Sequence, residues 1–291
     1  MIQVSPPYIR YVIAKPFRYW WQQFATPFLT TRGWTVIDPS TFSFPTAYGY
    51  NASFSRTLPG KNIPDEDYCL EHASIVVEFQ RAPIYDSIIS PFSNETIVDD
   101  LLAFMSVYTG QYCQYLWKEL VSADGNWCAS TNINLTNNHS TEIQAATDRR
   151  SIAHFQTALS NIPRLNQNQF GIAMRWFFTA LREFEIGRPL LEAALNWVCL
   201  ESQANYLGLS GHNYPKVRSF LDTQGFSDVP LLRDLYKLRN DAFHSGALSQ
   251  LDESHAQAAH KAGRSLIRAS LLVSMGMTHT DFSSQFSQIY Q

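Results

Sequence analysis

The chain has 291 residues, 45% of them apolar and 14% aromatic, with a net charge of −3. That apolar share belongs to a globular protein with a packed core, and the length suits one large domain or two ordinary ones. The charge excludes a surface coated with basic groups for indiscriminate nucleic-acid binding.

Charge is distributed unevenly. Residues 1–145 hold 8 Lys and Arg against 13 Asp and Glu, whereas residues 146–291 hold 14 against 12. Eleven of those 14 are arginines, whose planar fork suits phosphates. The asymmetry points to two modules, residues 1–145 and 146–291.

The aromatic opening "YIRYVIAKPFRYWWQQF" does not read as a secretory signal, because Pro6, Pro7, Arg10, Lys15 and Pro16 interrupt it. No run reaches the roughly 18 apolar residues of a membrane span. A cytoplasmic protein without membrane partners is expected. Cys69, Cys113, Cys128 and Cys199 lie far apart with no C-x-x-C pair, which predicts reduced, mostly buried thiols and no metal or cofactor.

"RYVIA", "WTVIDPS" and "ASIVVEF" are β-branched or aromatic runs bounded by turn residues, and predict strands. A helix is expected over "NETIVDDLLAFMSVYTG", capped by Ser93 and stopped by Gly110. "YCQYLWKELV" fits a strand or a short helix equally well. The Asn- and Thr-rich residues 125–145 read as a linker or exposed loop, and a helix is expected from about Thr147 to Pro163.

From Gln167 the pattern is helical. Ala173, Trp176, Phe177, Ala180, Leu181 and Phe184 form one stripe, and Gly187 and Pro189 break it. The next helix shows Leu191, Leu195, Val198 and Ser202 on one face. A loop over 208–215, a short helix "KVRSFLDTQG", a helix with Leu232, Leu235 and Leu238, and a long Ala-rich helix from about Leu251 complete the chain. The fold class is α+β: a mixed, β-rich N-terminal module followed by an all-α bundle of four or five antiparallel helices.

The stretch "LYKLRNDAFHSG" crowds Arg239, Asn240 and His244 into a helix end. Cations there gain about 0.3–1 kcal/mol from the helix dipole, and Gly246 suits a left-handed cap. Arg followed by His at this spacing carries little information alone, since Arg149 and His154 repeat it. The context adds more. Asn240 and His244 are an i, i+4 pair, so the amide can set the imidazole's tautomer. Arg239 lies about 140° from His244 on an ideal helix, so the two converge only if the final turn loosens or Arg239 wraps around.

With its flanking helices, this stretch resembles the motif of the HEPN domains (higher eukaryotes and prokaryotes nucleotide-binding), in the Apea-like branch associated with abortive infection. The resemblance covers roughly residues 147–280. It implies a HEPN-like bundle, a homodimer with a composite cleft across a two-fold axis, and metal-independent RNA cleavage through the 2′-hydroxyl. Arg239 would neutralise the phosphorane, His244 would move a proton, and Asn240 would orient His244 or bind phosphate. An antiviral or toxin effector is implied, with residues 1–145 as sensor or restraint for a phage or cellular trigger. The alternative is a non-catalytic dimerisation or RNA-binding scaffold.

Lys216 and Arg218 are further candidates for RNA phosphates, against a plain solvated helix face. Glu192, in a first helical turn, is explained by the dipole unless it faces the cleft. His212 reads as an exposed loop residue. Trp176, Phe177, Phe178 and Trp197 read as core and dimer surface.

Overall fold

The computed structural model describes residues 7–14, 21–43, 69–81, 96–110, 112–121, 127–131, 167–206, 208, 213–226, 229, 231–244 and 253–282. The chain divides into two compact units: Met1–Ile89 with Ser93–Val98 and Cys113–Ala146, and Ser90–Phe92 with Asp99–Tyr112 and Thr147–Gln291. Among the described residues no helix is long and apolar enough to cross a membrane.

The first unit is built on five antiparallel strands in the order β2-β3-β1-β4-β5. They are β1 (Tyr8–Ala14), β2 (Trp34–Ile37), β3 (Ala73–Gln80), β4 (Tyr115–Val121) and β5 (Trp127–Thr131), with the short helix α1 (Thr26–Thr30) between β1 and β2. The three runs expected as strands are strands. The ambiguous "YCQYLWKELV" also yields one, because a central partner with free edges on both sides accepts it. Part of the expected linker is β5, paired to β4 from Trp117–Thr131 to Val121–Trp127.

Strand β1 is buried along its whole length and pairs on both sides. One face carries Val12 and Ala14 against Val76, Leu116 and Trp117. The same alternation places Arg10 on that face, where register sets it between Glu78 and Glu119.

The second unit is helical: α2 (Ile97–Thr109, continuing from the first unit), α3 (Gln167–Glu185), α4 (Pro189–Tyr206), α5 (Asn213–Thr223), α6 (Leu232–His244), α7 (Glu253–Ser274) and α8 (His279–Phe282). Helix α2 ends at Gly110 (φ 71°), where a Cβ would lie 3.0 Å from the Arg268 guanidinium. It is tied to the bundle by Arg175–Asp100 (2.7 Å) and by Arg268 Nε donating to the Val107 carbonyl (2.7 Å).

Helix α4 is the hub, packing against α3, α5, α6 and α7. Its buried face differs from the expected one. Leu195 is buried, but Leu191 is exposed and Val198 and Ser202 are half-buried. The inward residues are Glu192, Ala193, Asn196, Trp197, Cys199, Leu200, Gln203 and Ala204. Three polar side chains on that face hide it from an apolar periodicity. The stripe on α6 (Leu232, Leu235, Leu238) is buried as expected, and the thiols of Cys69, Cys113 and Cys199 are buried. Ser93, Arg149, His154, His212, Gly246 and the helix expected near Thr147 lie outside the described residues.

Candidate active site

Helix α6 begins with Asp234 in its first turn and stays α-helical through His244. The final turn therefore does not loosen within the described residues. Arg239 and Asn240 are half-buried, and His244, the last helical residue, is exposed. Arg239 Nη1 donates to Asn240 Oδ1 (2.9 Å), and its guanidinium lies 5.2 Å from the centre of the exposed Phe243 ring. The Asn240 oxygen thus faces Arg239. Arg239 Nε is buried and has no hydrogen-bond partner.

Other groups reach the same end of the bundle. Leu235 packs so closely on α7 that a Cβ on Gly263 would fall 2.8 Å from its Cδ1. Tyr236 meets Trp197 of α4, with ring centroids 4.9 Å apart. Arg239, about 40° around the helix from Leu235 and about 60° from Tyr236, sits over the seam between α7 and α4. Leu232, at the start of α6, lines a cavity with Phe226, whose ring lies 4.6 Å from that of His279 just past the end of α7, while Leu235 meets Gly263 within α7, so the two helices run antiparallel. One turn beyond Leu235–Gly263 on α7 is His260, at about the axial level of Arg239.

At that level Glu192 is fully buried. Its carboxylate accepts from Arg264 through Nε (2.7 Å) and Nη2 (3.0 Å), and bonds His260 Nε2. Phe184 of α3 stacks on the His260 ring (5.6 Å) and lies 4.0 Å from the Arg264 guanidinium. Asn196, one turn along α4 from Glu192, is also fully buried, and neither amide atom has a partner. Buried polar groups are nearly always hydrogen-bonded, so the unpaired Asn196 and Arg239 atoms are exceptions among the described residues.

Glu192 is therefore more than a first-turn dipole partner. Asn196, His260 and Arg264 were not singled out by sequence reasoning. Their one legible signal is the i, i+4 spacing of His260 and Arg264 in "HKAGR", which puts both on one helix face.

Lys216 and Arg218 lie on α5. Lys216 Nζ is bonded to Asn205 Oδ1. Arg218 lines a separate open cavity of about 390 Å³ with Tyr214, Asp222 and Arg233, whose lining does not include the α6 motif residues. Phe177 and Trp197 are buried, Phe178 is half-buried, and Trp176 is exposed.

The constellation can do acid–base and electrostatic chemistry. It offers two guanidinium groups, one solvent-facing imidazole and one imidazole held by a buried carboxylate. Comparison with known protein families, curated proteins and solved structures finds no match for this chain.

Proposed function

We propose that this chain is a metal-independent ribonuclease of HEPN type, a defence or toxin effector whose helical unit cuts RNA through the 2′-hydroxyl. The observation that carries the reading is the end of α6. Arg239 is half-buried with its Nη1 held by Asn240 Oδ1, and His244, about one turn on, faces solvent. A phosphate oxygen is a fitting acceptor for Arg239, which stabilises the charge that gathers on the phosphorane. The 2′-oxygen attacks phosphorus, the bond to the 5′-oxygen breaks, and the products are a cyclic phosphate and a free 5′-hydroxyl. One proton leaves the 2′-hydroxyl and one reaches the departing oxygen, and His244 moves one of them. Two copies of the chain meet so that Arg239 and His244 share a cleft across a two-fold axis. The protein works in the cytoplasm, and residues 1–145 sense a trigger or restrain the helical unit.

The test is cleavage of single-stranded RNA by the full chain with EDTA present. His244→Ala should slow cutting by about 100-fold or more. Equal cutting by wild type and variant would sink the reading. The runner-up, a dimerisation or RNA-binding scaffold without turnover, draws on one observation. With α6 regular to its end, Arg239 and His244 leave the helix in directions about 140° apart. It predicts RNA affinity with no cleavage in any condition.

A further inference from the structure

Cleavage through the 2′-hydroxyl needs two proton transfers, and His244 supplies one. We propose that His260, positioned by Glu192, supplies the other as the base that takes the 2′-hydroxyl proton. This inference rests on the ribonuclease reading above.

Two observations carry it. First, Glu192 is held as a carboxylate acceptor, because both its oxygens take N–H groups from Arg264. Its bond to His260 Nε2 then holds an N–H on that nitrogen, so a neutral ring would carry its lone pair on Nδ1. This is the tautomer a general base requires, fixed by a buried carboxylate as catalytic imidazoles are commonly fixed. Second, helical spacing puts His260 beside Arg239. On α7, Gly263 faces α6 while His260 and Arg264 face Glu192, and His260 lies on the α6 side of that pair, about 60° from Gly263. Arg239 approaches the same seam from α6. A scissile phosphate bonded to Arg239 would bring its neighbouring 2′-hydroxyl toward the His260 ring.

In the step, Nδ1 of His260 takes the 2′-hydroxyl proton as the 2′-oxygen bonds to phosphorus. The bond to the 5′-oxygen breaks, and His244 gives that oxygen a proton. The cyclic phosphate and 5′-hydroxyl products account for every atom. Glu192 is a positioning residue, and Phe184 covers the ring of His260.

The test uses the full chain and two single-stranded RNAs. One is ordinary; the other carries a single sulfur in place of the bridging 5′-oxygen, a leaving group that departs without a proton. His260→Gln retains an N–H donor for Glu192 but has no nitrogen that exchanges a proton. On ordinary RNA its kcat should fall about 100-fold or more with KM nearly unchanged. The sulfur substrate should restore cutting by His244→Ala and leave His260→Gln slow. Glu192→Gln should lower kcat about 10-fold or more, again with KM nearly unchanged. Should His260→Gln fail to fold, His260→Asn takes its place.

Wild-type cutting with the His260 variant equally active would overturn this inference and leave the ribonuclease reading standing. Rescue of the His260 variant by sulfur, in place of the His244 variant, would also overturn it. A wild type that cuts neither RNA would remove both.

Discussion

Arg10 shows what a residue must do to remain charged inside a protein. Its guanidinium bonds Glu78 and Glu119, and Tyr8 and Phe42 present ring faces 4.8 and 4.9 Å away. All three charged groups are buried, so they are stable there only as partners. Tyr8 donates to Glu119 Oε1 (3.3 Å), and burial first, then the Glu119 charge, pushes its phenol well above the ordinary 10. The sign follows directly. A folded-state pKa above the unfolded value gives stability that is complete below about pH 10 and is lost as pH rises further. Urea midpoints should therefore be level near pH 9 and fall progressively above pH 10. Tyr8→Phe should flatten that fall; an unchanged slope would show that the phenol's environment plays no part. Arg239 contrasts with Arg10, being half-buried with one N–H unspent.

At the scale of elements, α4 explains why the bundle was only partly legible. Its apolar residues suggested a face through Leu191, Leu195, Val198 and Ser202, but its inward face carries Glu192, Asn196 and Gln203. Gln203 pairs with Ser270 (3.0 Å) and Glu192 with Arg264 and His260, so their burial depends on α7, seventy residues away. A periodicity count sees such residues as surface. Helix α6 lacks this complication, and its leucine stripe could be read directly. Where α6 crosses α7, Gly263 admits Leu235. Gly263→Leu should lower the unfolding free energy by about 1–3 kcal/mol, measured by urea denaturation, because the buried Leu235 has nowhere to move. Gly263→Ala should cost less, since alanine regains about 1 kcal/mol of helix propensity. If the leucine variant matches wild type, the crossing is looser than this contact implies.

For the whole molecule, a five-stranded antiparallel sheet unit and a helical unit share one chain, and α2 runs from the first into the second. The proposed activity needs a second copy, and this can be tested without a structure of the pair. Arg239→Ala and His244→Ala should each be inactive. Mixed and re-equilibrated, half the dimers would be hybrid, and one of two clefts in each would regain both side chains. Activity near a quarter of wild type is the expected outcome. No recovery on mixing would place Arg239 and His244 of the active site in one protomer.

Local chemistry determined much of this by itself. β-branched runs between turn residues predicted three strands, glycine and proline bounded helices, and the leucine spacing of α6 marked its core face. Those signals lie within a few residues of each other, so a short window contains them. Only the tertiary structure decided that Arg10 is buried between two glutamates, that residues 127–131 pair as a strand, and that Glu192 joins His260 and Arg264. Each depends on groups brought together from distant parts of the chain. A buried charge looks like a surface charge until its partner is known. The motif of Arg239, Asn240 and His244 was visible as a helix end; the cluster of Glu192, His260 and Arg264 exists only once α4 and α7 are packed.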